Sequence, residues 1–164
     1  MKHTLSLLVE DKSGVLARIS ALCARRAINI HSLAVGPTHE PGRSRLTLVV
    51  DADQVEQATK QLHKLINVIR ITELGAEESV EREIMLVRVN GASRRSEVLD
   101  QAAPFGAQVV DASGASVAFQ VVGHPRHLAA FLEAMRPFGV VDMVKSGRIA
   151  MARDNGSVAA DTTQ

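Results

Sequence analysis

An α+β protein of two ferredoxin-like βαββαβ units is the fold that this sequence predicts. In the first half, runs of strand character are interleaved with two segments of helical spacing in that order. The order recurs in the second half with a period of roughly 80 residues, so the chain reads as two structural repeats that share pattern rather than sequence. With 164 residues, 46% of them hydrophobic and 23% charged, it has enough apolar side chain for one domain or two small ones.

The first strand is expected over His3 to Val9. Gly14 to Arg26 follows with apolar positions 15, 16, 19, 22 and 23 on one helical face. Asn29 to Pro37 and Arg43 to Asp51 read as strands of a hairpin turned by Pro41 and Gly42. Asp53 to Leu65 carries Val55, Ala58, Leu62 and Leu65 at helical spacing, with Asp51 and Asp53 near its positive end. Val68 to Leu74 closes the unit. The second round comprises a strand from Glu83, a helix over Arg94 to Ala103, strands at Gln108 to Ala112 and Ser116 to Gly123, a helix near Pro125 to Met135, and one last strand from Val140 to Met151. The expected domains are therefore 1–76 and 83–152, joined by a polar linker at 77–82 and followed by a small, polar, disordered tail at 153–164.

Right-handed crossovers put both helices of a unit on one face of its sheet, with strand order 4-1-3-2. Asn29 to Pro37 then lies at an edge. It has no strong charge guard, so it invites pairing with a second copy, and a homodimer is expected.

Nineteen Lys and Arg against eighteen Asp and Glu give a net charge of +1 without a basic stripe, which argues against nucleic acid. An RNA-recognition motif would also need aromatics in its central strands, and all four aromatics, Phe105, Phe119, Phe131 and Phe138, fall in the second half. No run approaches a spanning helix and no leader pattern opens the chain, so a cytoplasmic protein without membrane association is expected. The single cysteine, Cys23, falls on an apolar helical face and reads as a buried, inert thiol. His124 and His127 lack neighbouring ligands and read as solvated histidines rather than metal ligands. No nucleophile–base order, phosphate loop or catalytic carboxylate pair stands out, so a non-catalytic chain without a metal is expected.

The informative stretch is LVEDKSGVLARIS, from Leu8 to Ser20, where a strand turns a corner into a helix. The first turn of a helix has unpaired N–H groups and partial positive charge. Ser13, Gly14, Val15 and Leu16 can therefore offer donors to a small carboxylate, and Gly14 permits close approach. Asp11 can accept from an ammonium group, and Val15, Leu16 and Ile30 can surround a short aliphatic side chain. These features suit an amino acid. The same corner also fits a plainer role, in which Asp11 or Ser13 caps the helix and Gly14 turns the chain.

LVEDKSGVLARISALCARRAINIHSLAVGPT, with SRLTLVV, QLHKLINVIRITEL and VEREIMLVRV, closely resembles the small regulatory subunit family of acetohydroxyacid (acetolactate) synthase over about residues 1 to 90. The remainder fits in length and pattern. The resemblance implies an N-terminal ACT domain, an amino-acid-sensing module, followed by a ferredoxin-like domain. It further implies valine binding at an ACT dimer interface, activation of the large catalytic subunit, and feedback inhibition in branched-chain amino acid biosynthesis. Thiamine diphosphate, magnesium and flavin (FAD) would belong to the catalytic subunit. Carried over by position, Asp11 and Gly14 with the neighbouring amides hold the amino acid in one chain, while Asn29 and Ile30 of the facing chain complete the pocket. A stand-alone sensing protein that regulates a different enzyme is the alternative. The family often has Gly and an aromatic where this chain has Ala27 and Ile28, and often has Asn where this chain has Asp11.

Overall fold

The computed structural model describes residues 2–91 and 93–154. They form β1 (Lys2–Glu10), α1 (Val15–Arg25), β2 (Ile30–Pro37), β3 (Arg43–Asp51), α2 (Val55–Leu62) and β4 (Val68–Leu74). Then come β5 (Ser79–Asn90), α3 (Arg95–Ala102), β6 (Gln108–Asp111), β7 (Ser116–Gly123), α4 (Pro125–Met135), β8 (Val140–Lys145) and β9 (Ile149–Ala152). Both sheets are antiparallel where their registers are defined, and each carries the expected order, β2-β3-β1-β4 in the first and β6-β7-β5-β8 in the second, with β9 also pairing to β5.

The chain divides into two compact units, one of residues up to Val80 together with the chain from Arg148 onward, the other Glu81 to Gly147. In the first unit, Leu5, Leu7 and Val9 of β1 and Leu46, Leu48 and Val50 of β3 meet Ile19, Leu22 and Cys23 of α1 and Ala58 and Leu62 of α2. Burial pushes the Cys23 thiol up, which keeps it protonated and unreactive. The opposite face of that sheet carries Thr4, Ser6 and Thr47, all buried. Arg148 lies against this side, its N–H donating to Ser32 Oγ at 2.7 Å and its guanidinium to Thr4 Oγ1 at 3.2 Å.

The core of the second unit is aromatic. Phe131, fully buried on α4, meets Phe119 of β7 and Phe105 edge-on at centroid distances of 5.8 and 5.4 Å.

Several expectations need correction. The last strand is two strands, β8 and β9, because Ser146 and Gly147 break it: Gly147 has φ +83°, which a β-branched or bulky residue would adopt only with strain. Residues 148–152 consequently cluster with the first unit, not with the second as a domain 83–152 requires. The segment 77–82, expected to be a linker, holds the first four residues of β5, of which Ser79 and Glu81 are buried. The expected disordered tail begins too early, since Arg153 N–H donates to Glu78 O at 2.7 Å. Residues 155–164, the rest of that tail, lie outside the described residues. His124 and His127 are half-buried and bonded rather than solvated: His124 Nδ1 accepts from Arg126 N–H at the start of α4, and His127 Nε2 donates to Phe105 O at 2.9 Å.

Candidate functional site at the first strand–helix corner

The turn between β1 and α1 is pinned from both sides. Glu10 N–H donates to Asn67 O at 2.9 Å and Asp11 N–H to Gly42 O at 2.9 Å. Asn67 is itself held, receiving Arg18 Nη1 on its side-chain oxygen at 2.7 Å and donating to Glu10 Oε2 at 2.6 Å. The Asn67 amide, with Lys12 at 3.2 Å, holds the Glu10 carboxyl below its usual range. Gly14 then takes φ +83° and starts α1.

At this helix start no side-chain oxygen bonds to the first-turn amides, and the first turn contains no acidic residue. Val15 N–H makes a long bond of 3.3 Å to Lys12 O, while the N–H groups of Ser13, Gly14, Leu16 and Ala17 have no acceptor among the described residues. The capping role open to Asp11 and Ser13 is therefore not taken up, and the helix presents free donors and its positive end to solvent.

An open groove of about 390 Å³ lies beside these donors, lined by Asp11, Val15, Leu16, Val35, Pro37 and Leu46 among others. Leu16, expected on the buried face of the helix, is 40% exposed, and Val35 is 52% exposed. An anion-favouring helix start thus adjoins an aliphatic wall. That pairing suits a small molecule with a carboxylate at one end and a short hydrocarbon chain at the other.

Asp11, Val15 and Leu16 line the groove, and Ser13 and Gly14 stand at the same corner. Asn29 and Ile30 do not join them within one chain. Ile30 pairs with Val50 and Pro37 with Ser44, so the two ends of β2 lie roughly 20 Å apart at strand rise. The sequence reading missed Val35, Gly36 and Pro37, which reach the groove only because β2 runs back along β3, and also missed Arg18 and Asn67, which brace the corner from α1 and the start of β4. The pattern of polar residues at strand ends carries no signal for such braces.

At the far end of β2 a second polar cluster forms. Ala27 adopts φ +53°, a left-handed conformation unusual for a residue with a Cβ and costing about 1 kcal/mol. Asn29 N–H donates to Gln54 Oε1 at 3.1 Å, and Gln54 Nε2 donates back to Ala27 O at 3.0 Å. His31 sits where the β2–β3 register shifts, with Nε2 2.8 Å from Asp51 Oδ1 and 3.4 Å from the Asn29 amide.

Residues 5–70 match the model of the AHAS small subunit-like ACT domain, and residues 82–154 match that of the small subunit of acetolactate synthase. The chain is 48% identical over 154 residues to the acetolactate synthase small subunit of Mycobacterium bovis, an alignment covering 92% of each. The chain belongs to the acetolactate synthase small-subunit family. A probable acetolactate synthase small subunit of Archaeoglobus fulgidus is 44% identical, with 94% of this chain and 99% of the relative covered. The crystal structure of a small subunit from Thermotoga maritima superposes with TM-score 0.86 at 32% identity, covering 94% of this chain and 99% of that one. The first match lies within the first unit, an ACT domain, whereas the second begins with the second unit and runs on past Gly147 into residues that cluster with the first.

Proposed function

We propose that the chain is the non-catalytic regulatory subunit of an acetolactate synthase. It binds valine at an ACT dimer interface, activates the large catalytic subunit and transmits feedback inhibition to it in the cytoplasm. The observation that carries the reading is the uncapped start of α1 beside an aliphatic groove, in a chain of the acetolactate synthase small-subunit family. The valine carboxylate takes the free amides from Ser13 to Leu16, the isopropyl group enters beside Val15, Leu16 and Val35, and Asp11 accepts from the ammonium group.

The groove is open, which is consistent with a half-site. β2 is an edge strand. A two-fold axis that pairs it antiparallel with its copy brings the Ile30 end of one chain to the Pro37 end of the other, so Asn29 and Ile30 of the facing chain close the groove. Thiamine diphosphate, magnesium and FAD are assigned to the catalytic subunit.

Calorimetric titration of the full chain with valine, leucine, isoleucine, serine and phenylalanine tests the reading, together with sedimentation and inhibition of the reconstituted enzyme. Binding of a branched-chain amino acid to a dimer is the expected result. A monomer that binds valine normally would overturn the shared site, and absence of binding to all five would overturn the sensing function.

A further inference from the structure

The brace at the first corner converges on one side chain. Between Leu8 and Val9 the β1–β4 register shifts, from Leu8 opposite Arg70 to Val9 opposite Val68, so that Asn67 rather than Val68 comes against Glu10. Asn67 is buried, at 8% exposure, and its amide spans the turn. On the strand side its Nδ2 donates to Glu10 Oε2 at 2.6 Å; on the helix side its Oδ1 accepts from Arg18 Nη1 at 2.7 Å. Each end of the amide has the partner it requires, a carboxylate for the NH2 group and a guanidinium for the oxygen. Arg18 is also the residue whose N–H closes the first helical bond, to Gly14 O at 3.0 Å. One amide thus ties the residue before the turn to the first closed turn of α1, and the amides of Ser13 to Leu16 lie between the two anchors. Neither Asn67 nor Arg18 lines the groove.

We propose that Asn67 is a positioning residue of the effector site: by clamping Glu10 to Arg18 it holds the turn in the shape that aims the leading amides of α1 at the effector carboxylate. The inference rests on the amino-acid-sensing reading above and adds a residue that touches no effector itself. Glu10 is half-buried and Arg18 exposed, so water can take the place of the Asn67 amide at both charges. The clamp is therefore not needed to satisfy them. What it supplies is order, because donors on a turn that moves are aligned for only part of the time, and apparent affinity falls by that fraction.

The test measures valine affinity of the full-length protein by calorimetry, and the magnetic resonances of the Ser13, Gly14, Val15 and Leu16 amides without ligand. The proteins compared are wild type, Asn67→Leu, Asn67→Asp, and the double variant of Asn67→Asp with Glu10→Gln. Asn67→Leu is expected to move those resonances and to weaken valine binding about tenfold, as for a turn that keeps its binding shape about a tenth of the time. Asn67→Asp sets two carboxylates against each other and weakens binding too. In the double variant the new glutamine amide donates to the new carboxylate, which still accepts from Arg18, and both readouts return towards wild type. A merely structural role would lower the thermal midpoint without moving the affinity of the folded protein. Wild-type affinity or wild-type amide resonances in Asn67→Leu overturn the proposal alone, as does a double variant that binds no tighter than Asn67→Asp. No heat with valine in wild type overturns the sensing function, and the effector role of Asn67 with it. Should Asn67→Leu fail to fold, Asn67→Asp and the double variant carry the test, and equal affinities of those two overturn the proposal.

Discussion

The two units repeat one topology and treat the corner after the first strand in opposite ways. In the N-terminal unit α1 begins with no acidic residue in its first turn, and its leading amides face an open groove. In the C-terminal unit the first turn of α3 contains Glu97, paired with Arg94 at 2.7 Å, and the Arg94 guanidinium lies over the Phe138 ring, 4.6 Å from its centroid. That helix therefore has a carboxylate in its first turn, bonded to the Arg94 guanidinium and not to the leading amides. Repetition of βαββαβ thus repeats the strand–helix corner but not its charge: the first turn of α1 has no acidic residue and that of α3 has Glu97.

The outward sheet faces differ in the same spirit. Thr4, Ser6 and Thr47 of the first sheet are buried, whereas Leu86 of β5, Val122 of β7 and Val144 of β8 are 43%, 53% and 60% exposed. The cores differ too, aliphatic in the first unit and phenylalanine-rich in the second.

The contrast can be broken most forcefully through the aromatic core. Phe131→Ala removes a fully buried ring that meets two others, and a loss of about 3–5 kcal/mol is expected in urea unfolding of the full chain. A loss under about 1 kcal/mol would mean that the second core is not organised around this ring. Next in size is Gly14→Asp. A carboxylate at this position satisfies the same amides from within and repels the ligand, making the first corner resemble the second in charge, and valine affinity should fall by roughly 100-fold or more. The added Cβ meets nothing within 4 Å, and Asp tolerates the φ of +83° better than most residues, so the thermal midpoint should fall only modestly. Its companion, Glu97→Gln, should leave valine inhibition unchanged; a comparable loss there would erase the distinction between the corners.

Ala27→Gly is expected to relieve the left-handed strain and raise stability by about 1 kcal/mol, read from the urea midpoint at constant slope. The smallest effect is electrostatic and lies in the second unit. Hydrogen bonds from the Ser113 hydroxyl and N–H, with Arg88 next, hold the Asp111 carboxyl down at about 2, from an ordinary value of 3.8. A carboxyl whose value is depressed on folding stabilises the fold above its unfolded value, and that contribution is lost as pH falls from about 4 to about 2. Thermal midpoints across this window should fall less steeply for Asp111→Asn than for wild type; parallel curves would show that the network around Asp111 does not contribute.

Where alternation was clean the strands were legible to the residue: β3 and β4 run over the expected spans, as do β7 and α4. Legibility failed where a polar residue is buried or a turn is tight. Ser79, Glu81 and Glu83 face inward on β5, so the pattern that marks a strand was hidden by side chains normally read as solvent-facing. The second helix is shorter than its apolar spacing suggests, Val55–Leu62, with a 3₁₀ turn before it and tight turns after it, because Leu65 continues the spacing without continuing the helical hydrogen bonds. At the corner, Asp11 and Ser13 to Leu16 were legible as a local strand–turn–helix, whereas Val35 to Pro37 arrive through long-range pairing, which no local window contains.

The return of the chain at Arg148 places the second compact unit, residues 81–147, between two segments of the first. Cutting after Val80 would remove Arg148, whose bonds reach Ser32 and Thr4, and β9 with it. Excising 81–147 and bridging Val80 to Arg148 with a short flexible splice would instead keep every segment of the first unit, since Arg153 already bonds to Glu78 and holds the two cut ends in one neighbourhood. The smallest piece of this protein that keeps its first unit whole is therefore a spliced chain, not a truncated one.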